Sequence, residues 1–125
     1  MDHKELYRTA VDAMKNSYAP FSKFTVGAAL LAKDGRVFTG VNVENSSYGA
    51  TICAERTAFV KAVSEGCREF DTIAITCNEG AAWPCGICRQ FMYEFGPDLK
   101  VITGQNEEQL KTMTLGELLP EGFKL

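Results

Sequence analysis

The sequence predicts an α/β domain, mixed or three-layered, in which helices cover a sheet. Segments with helical and strand character alternate along the chain, so the connections between strands have to cross over the faces of a sheet. An Asp-Gly turn joins the first two strand-like segments as a hairpin, which makes part of the sheet antiparallel. The 125 residues are 46% hydrophobic and 23% charged, as in an ordinary globular domain. We therefore expect one domain over residues 1–125.

The first element is predicted as an amphipathic helix over residues 3–18. Its apolar residues recur at spacings of four, three and four, which places on one stripe Tyr7, Val11, Met14 and Tyr18. The helix is expected to end at that point, because the residue before a proline is pushed out of the α region.

Two strands and a second helix follow. The strands are predicted over residues 24–32 and 37–43, with the Asp-Gly turn between them. Residues 53–63 have helical composition, and Gly66 is suited to the position just after a helix.

The second half of the chain is predicted to continue with strand, helix, strand and helix. The third strand covers residues 70–76, and Pro84 is placed in the first turn of a helix that ends at Gly96. The fourth strand covers residues 99–103. A capping box at 114–117 precedes a short last helix.

The charge and hydropathy of the chain exclude two classes of partner. Thirteen basic residues against sixteen acidic ones give a net charge of −3 and a pI near 5.2, whereas binding to a polynucleotide favours a basic excess. The longest apolar stretch, residues 24–32, is about half of a membrane span. The N-terminus is charged and lacks the apolar core of a signal peptide. We expect a cytoplasmic protein that binds neither nucleic acid nor membrane.

The five cysteines point to a metal, because an odd number in a cytoplasmic chain makes a poor disulfide framework. Cys53 begins one predicted helix, and Cys85 and Cys88 lie on one turn at the start of another. A helix N-terminus favours the thiolate form that binds metals. Three thiolates suit a zinc ion that keeps one open position.

Other interpretations of the cysteines remain open at this point. A C-x-x-C pair by itself also occurs in structural zinc ribbons, in redox sites and as two buried cysteines. The chain has no second C-x-x-C, and its single histidine, His3, lies in a charged first turn where solvation is the simpler interpretation. Only Cys67 or Cys77 could add a fourth ligand, and burial accounts more simply for Cys77.

A carboxylate next to the first cysteine favours a catalytic metal. Glu55 lies two residues after Cys53, where it can face the metal without binding it. A carboxylate beside a metal-activated water can take its proton and deliver it elsewhere. An isolated glutamate in this position would otherwise be explained by the helix dipole.

These motifs resemble the zinc nucleoside and nucleobase deaminases, in the variant with three cysteine ligands. The similarity is greater to the small homotetrameric cytidine deaminases, and it extends over most of the chain, from about residue 18 to 123. It rests on five blocks: Gly40-Val-Asn-Val-Glu-Asn45, Cys53-Ala-Glu-Arg-Thr57, Lys61-Ala-Val-Ser-Glu-Gly66, Pro84-Cys-Gly-Ile-Cys-Arg-Gln90 and Leu118-Leu-Pro120.

The resemblance implies a three-layer α-β-α sandwich with a mixed sheet of roughly five strands. It also implies one zinc ion per subunit, held by Cys53, Cys85 and Cys88 with water or hydroxide in the fourth position. Zinc-bound hydroxide would attack C4 of cytidine or 2'-deoxycytidine, with Glu55 carrying the proton to ring N3 and then to the departing amine. The products would be uridine or 2'-deoxyuridine and ammonia.

The resemblance further assigns a charge-compensating cation and the substrate contacts. Arg56 matches an arginine that offsets the negative charge of three thiolates, and Arg89 would add a second cation nearby. Asn42 and Glu44 match a pair that binds the ribose; without the resemblance they would be ordinary polar residues at a strand end. The remaining matches are Phe24, stacked on the pyrimidine, and the Ala54 backbone, at the base carbonyl.

Three further positions concern the assembly and the specificity. Tyr48 and Phe123 resemble residues that enter the pocket of a neighbouring subunit in a homotetramer. Trp83 stands where the family commonly has a small serine, so its indole would either narrow the pocket or pack on a neighbouring subunit.

Other functions are compatible with parts of the pattern. A deaminase of modified cytosine nucleosides, of the antibiotic-resistance type, is the nearest alternative, although Asn42 and Glu44 favour a free ribose. A polynucleotide deaminase is disfavoured by the acidic charge. A purely structural zinc protein would be indicated by four protein ligands instead of three.

Overall fold

The computed structural model describes residues 1–125 and contains a five-stranded sheet with helices on both faces. The elements in chain order are α1 (His3–Ala13), β1 (Val26–Ala32), β2 (Val37–Val41), α2 (Ala54–Ser64), β3 (Phe70–Cys77), α3 (Gly86–Tyr93), β4 (Lys100–Gly104), β5 (Leu110–Thr114) and α4 (Leu115–Leu118), with short 3₁₀ turns at Met14–Asn16 and Tyr48–Ala50. None of the helices has the length and hydropathy needed to cross a bilayer.

The sheet is mixed, in the order β2-β1-β3-β4-β5, and only β3 and β4 run parallel. Successive residues of β1 point to opposite faces: Ala28 and Leu30 join the core beneath α2 and α3, and Ala29 packs with Leu6 and Ala10 of α1. The predicted three-layer α/β class is therefore confirmed, because both faces of the sheet are covered.

The Asp-Gly hairpin forms as predicted. Gly35 has a φ of 96°, and its N–H donates to Ala32 O at 3.0 Å. A left-handed backbone at this position favours glycine. The turn brings Leu31 opposite Val37 and thereby sets the register of β1 on β2.

The predicted helix over residues 3–18 is too long, and only part of its predicted apolar stripe is buried. Regular α-helix ends at Ala13, and the chain is extended again by Ser17. The buried residues of α1 are Leu6, Tyr7, Ala10 and Ala13, whereas Val11 is 41% and Tyr18 57% exposed. The alanines face the sheet because α1 approaches it closely: a Cβ added to Gly27 of β1 would lie 2.2 Å from Ala10 O.

The helix predicted from Pro84 to Gly96 is shorter in the structure. It begins at Gly86, because Cys85 is the N-cap and its sulfur accepts a hydrogen bond from Cys88 N (3.4 Å). Pro84 consequently lies before the cap and not in the first turn.

The residue pattern identified four strands and missed β5, whereas the resemblance implied about five. Strand β5 has the sequence Leu-Lys-Thr-Met-Thr and lies at the sheet edge, with no fully buried residue. Such a polar edge strand has no apolar alternation to reveal it. The hairpin strands begin and end within two residues of the predicted bounds, at Val26 and Val41.

We expect Gly40→Ala to destabilise the protein by about 1–3 kcal/mol, the usual cost of inserting atoms into a packed interior. A Cβ on Gly40 of β2 would lie 2.3 Å from Ala54 O and 2.5 Å from Ala58 N, so the backbone of α2 would have to move. Urea denaturation measures the change in the free energy of unfolding. Gly49→Ala is the matched control, since no atom lies within 4 Å of its added Cβ. Equal stability of the two variants would contradict the close packing of α2 on β2.

Candidate active site

The two helices that carry the cysteines lie on one face of the sheet and converge at their N-termini. Aromatic side chains hold them together further along: the ring of Phe59 in α2 lies 6.2 Å from that of Phe91 in α3 and 5.4 Å from that of Phe95. Cys53 is the N-cap of α2 and Cys85 is the N-cap of α3. Positions 53 and 85 are therefore brought together by the packing of the two helices.

The sulfurs of Cys53, Cys85 and Cys88 all lie within 4.8 Å of one another, and they form the one such cluster of potential metal ligands. The Cys53 and Cys85 sulfurs are 3.8 Å apart. Ligands at about 2.3 Å around a tetrahedral zinc ion are separated by about 3.8 Å, so this spacing fits a bound zinc ion. The cluster supplies three ligands, which leaves one position open.

The remaining cysteines are not part of the cluster. Cys67 is buried in the hydrophobic core, at 5% exposure. The Cys77 thiol lies 3.6 Å from the carbonyl oxygens of Gly80 and Ala81. No fourth cysteine and no histidine joins the cluster, which disfavours a closed structural zinc site.

The surroundings of the thiols favour the thiolate at one position. Hydrogen bonding from Cys88, then from Arg56 and Cys85, lowers the pKa of Cys53 to about 5 against the opposing effect of burial. The pKa of Cys88 is raised, because its thiol hydrogen-bonds Cys53 and is buried. Cys53 is thus a metal-binding thiolate at neutral pH even without a bound metal.

Arg56 is the cation that faces the thiols. Its Nη2 atom lies 3.4 Å from Cys53 Sγ, and its Nε atom is buried without a hydrogen-bond partner. A buried donor that lacks an acceptor suits a cluster that becomes more negative on losing its protons. Arg89 does not share this role, because it donates to the carbonyl oxygens of Pro84 (2.7 Å) and Leu118 (2.8 Å) and so ties α3 to α4.

Glu55 lies in the first turn of α2 and is only 4% exposed. Burial raises the pKa of its carboxyl to about 7, and the neighbouring Cys53 thiolate acts in the same direction. A carboxyl group with a pKa near neutrality can both accept and release a proton at ordinary pH, as an acid–base catalyst requires.

A cavity of about 310 Å³ opens beside the thiols and contains most of the predicted substrate-binding residues. Its lining comprises Ser22, Phe24, Val26, Asn42, Glu44, Thr51, Cys53, Ala54, Glu55, Ile75, Ala82, Trp83 and Cys85. A larger cavity of about 550 Å³ on the α1 side of the sheet contains no comparable cluster of ligands. The chemistry is therefore placed in the smaller cavity.

Asn42 directly follows β2, is 7% exposed and forms part of the cavity wall. Its Oδ1 atom accepts hydrogen bonds from Val26 N (2.9 Å) and from the Ser17 hydroxyl, and its Nδ2 atom donates to Phe24 O (2.7 Å). The amide keeps one free N–H. It can therefore donate to a ligand, but both lone pairs of its oxygen are already used.

Glu44 complements this donor with an acceptor. Its carboxylate accepts from the backbone N–H groups of Phe21 (2.9 Å) and Ser22 (3.1 Å) and from the Ser22 hydroxyl. The hydrogen bond from the Ser22 side chain, followed by those from the backbone, lowers the pKa of Glu44. The group stays ionised and retains acceptor capacity for a ligand hydroxyl.

The other predicted residues fall into two groups. Phe24, at 39% exposure, and the buried Ala54 line the cavity. Tyr48, at 75%, and Phe123, at 64%, are exposed and do not line it. Within one chain, the structure therefore does not bring Tyr48 and Phe123 to the thiol cluster.

Residue-by-residue interpretation missed several members of the wall. Ser22 and Thr51 line the cavity but had no predicted role, and Ile75 lines it from the second half of β3. Ser22 lies two residues before Phe24, and this proximity is the one local signal that could have indicated it. Trp83 also lines the cavity, as the resemblance implied.

The fold and the site together fit a zinc-dependent hydrolytic deaminase, since the buried carboxyl of Glu55 lines the same cavity as Cys53 and Cys85 of the three-thiol cluster. The family model described as the cytidine and deoxycytidylate deaminase zinc-binding region matches residues 1–105. The chain belongs to this deaminase family and is an enzyme.

Individual relatives are similar over nearly the whole chain. This chain is 48% identical to a cytidine deaminase from Halalkalibacterium halodurans, and the alignment covers 98% of this chain and 95% of the relative. The crystal structure of a cytidine deaminase from Burkholderia pseudomallei superposes with a TM-score of 0.93 at 46% identity, covering 98% of this chain and all of that one. A more distant relative is a blasticidin-S deaminase from Bacillus cereus, 33% identical over 93% of this chain and 88% of that protein.

Proposed function

We propose that the chain catalyses the hydrolytic deamination of cytidine and 2'-deoxycytidine to uridine and 2'-deoxyuridine, with release of ammonia. The observation that carries the proposal is the buried Glu55 carboxyl, which shares one cavity with the three-thiol cluster and with the polar pair Asn42 and Glu44. A nucleoside needs both ends of such a cavity, one for the reacting base and one for the sugar. Residues 1–125 act in this proposal as a single deaminase domain.

At the reacting end, Cys53, Cys85 and Cys88 would hold one zinc ion. A bound zinc ion supplies a Lewis acid that lowers the pKa of water toward neutrality. Glu55 takes the proton from the attacking water and passes it to ring N3. It then takes the proton of the new C4 hydroxyl group and delivers it to the exocyclic amine, so that the C4 carbonyl forms and ammonia leaves. Arg56 offsets the negative charge of the thiolates through its bond to Cys53.

At the other end, the polar pair binds the sugar. Asn42 donates a hydrogen bond through its free N–H and Glu44 accepts one, so one hydroxyl group, which both accepts and donates, can satisfy both side chains. Phe24 and Ala54 line the same cavity, and in this proposal the Phe24 ring stacks on the pyrimidine and the Ala54 backbone binds the base carbonyl. Cytosine without its sugar lacks the partner for Asn42 and Glu44 and should be a poor substrate.

The function is tested by incubating the zinc-loaded protein with a substrate panel and following ammonia release. The panel contains cytidine, 2'-deoxycytidine, cytosine, cytidine monophosphate and blasticidin S. We expect rapid turnover of the two nucleosides alone. Preference for blasticidin S would replace the proposal by the antibiotic-resistance type of deaminase. A protein that binds zinc but releases no ammonia from any compound would be a structural zinc protein.

We also propose a homotetramer whose active sites are shared between subunits. Phe21 and Tyr48, whose rings lie 5.8 Å apart, are exposed and line a second cavity that shares Ser22, Glu44 and Thr51 with the active site. Such apolar side chains at the mouth of the site support contact with another copy. Tyr48 and Phe123 would then complete the neighbour's pocket. A cytoplasmic location without nucleic-acid partners remains part of the proposal.

Mixing two inactive variants tests this sharing. Glu55→Gln and Tyr48→Ala subunits, unfolded and reassembled together, should regain part of the wild-type turnover, because some sites then combine an intact Glu55 with an intact Tyr48 from the neighbour. Reassembly of each variant alone is the control. Full activity of a monomer, verified by sedimentation at the assay concentration, would contradict the shared site.

A further inference from the structure

The hydrogen bonds of Asn42 fix the polarity of its amide group before any ligand binds. Val26 N–H donates to Oδ1 and Nδ2 donates to Phe24 O, so rotating the amide by half a turn would place donor against donor and acceptor against acceptor. These two backbone contacts therefore determine which atom is the oxygen. They leave one lone pair of Oδ1 and one N–H of Nδ2 without a partner.

Ser17 takes up the second lone pair. Its hydroxyl donates to Asn42 Oδ1, and its oxygen lies 3.5 Å from the Asn42 carbonyl oxygen. Ser17 is partly buried and does not line the cavity, so it contacts a ligand only through Asn42. With Ser17 in place, the one free polar group of the amide is a donor.

We infer that Ser17 is a positioning residue for the sugar end of the site: it makes Asn42 a pure hydrogen-bond donor, aimed at one hydroxyl of the nucleoside. The inference deepens the proposed function and depends on it. Ser22 does the equivalent for Glu44, to which it donates two hydrogen bonds, so the donor and the acceptor are both set in advance. Preorganisation of this kind reduces the ordering cost of binding.

Removing the Ser17 hydroxyl leaves Asn42 Oδ1 with a single hydrogen-bond partner, Val26 N–H. The amide is then free to tilt about its remaining backbone contacts, and the vacated lone pair can accept a bond from water or from a sugar hydroxyl. The N–H that should face the substrate is less well aligned. The variant should therefore bind the one hydroxyl that Asn42 contacts less tightly, and the chemistry at Glu55 should not change.

The test compares Ser17→Ala with the wild type on four substrates: cytidine and its 2'-, 3'- and 5'-deoxy analogues. For cytidine we expect kcat/KM to fall by about tenfold, the worth of one ordinary hydrogen bond, with the change mainly in KM. The Asn42→Ala variant shows which hydroxyl group Asn42 contacts. An analogue that already lacks this hydroxyl loses nothing further when Asn42 is removed, so its kcat/KM should change least. On that analogue, Ser17→Ala should differ from wild type by less than about twofold.

Three further variants separate positioning from a general structural effect. Ser17→Thr keeps the hydroxyl and should restore turnover of cytidine. In Ser17→Cys the thiol has nearly the same shape as the hydroxyl but is a weak hydrogen-bond donor. This variant repeats the test if the alanine variant does not fold. Ser64→Ala removes a hydroxyl that bonds Lys61 O at the far end of α2 and should change no substrate preference. Equal losses on all four substrates, or wild-type kinetics on all of them, would overturn the role of Ser17. A wild-type protein that deaminates none of the nucleosides would instead overturn the proposed function.

Discussion

Glu55→Gln is expected to retain zinc and the fold while its turnover of cytidine falls by several orders of magnitude. Glutamine has nearly the same shape but cannot take up or release the proton that the reaction moves twice. Acid–base catalysis alone is worth about 10²–10⁴-fold. Because the same group serves both proton transfers, the loss should lie at the upper end of this range or beyond it. Turnover is measured by ammonia release with zinc content verified.

The stability of this variant provides an independent check. Burial raises the pKa of Glu55 to about 7 because the ionised form is poorly solvated there. A neutral amide avoids that cost, so the free energy of unfolding should not fall. Glu65→Gln, an exposed carboxylate at the other end of α2, is the matched control and should leave turnover unchanged. Near-normal turnover in a zinc-replete Glu55→Gln protein would show that another group moves the proton.

Cys85→Ala is expected to abolish zinc binding and activity while leaving the chain folded. Cys85 is exposed, so its loss removes little buried apolar surface, whereas it takes away one of the three sulfurs in the cluster. The zinc content measured by atomic spectroscopy should fall from one per chain to near zero, and ammonia release should fall to background.

Cys67→Ala should behave in the opposite way. The Cys67 side chain lies in the core and outside the cluster, so its loss should lower the free energy of unfolding by about 1 kcal/mol and leave zinc and turnover in place. Circular dichroism and urea denaturation of both variants distinguish metal loss from unfolding. Full zinc in Cys85→Ala, or loss of zinc from a folded Cys67→Ala protein, would contradict the assigned ligands.

The two cysteine motifs show how much of the site could be predicted from the sequence. Cys85 and Cys88 share one helical turn, and Cys53 and Glu55 share another, so local spacing alone places each pair on one helix end. The alternation of strands and helices likewise predicts the sandwich, because each apolar strand requires cover on both faces. The resemblance to a known family then indicated that the two motifs bind the same metal ion.

Other features had no local cause and could be learned only from the tertiary structure. The side of α1 that is buried depends on how closely the helix approaches β1, which favours Ala10 over the larger Val11. The donor-only character of Asn42 arises from Val26, Phe24 and Ser17, residues 16 to 25 positions away in the chain.

The sequence by itself thus determined the helix ends that carry the chemistry, because a cap and its first turn are set by neighbouring residues. The tertiary structure decided which of those groups meet and which hydrogen bonds they have left to offer. That Cys53 lies 3.8 Å from Cys85 depends on two helices packing side by side on one sheet. Contacts of this kind join residues 32 positions apart, and no spacing within either motif encodes the distance between them.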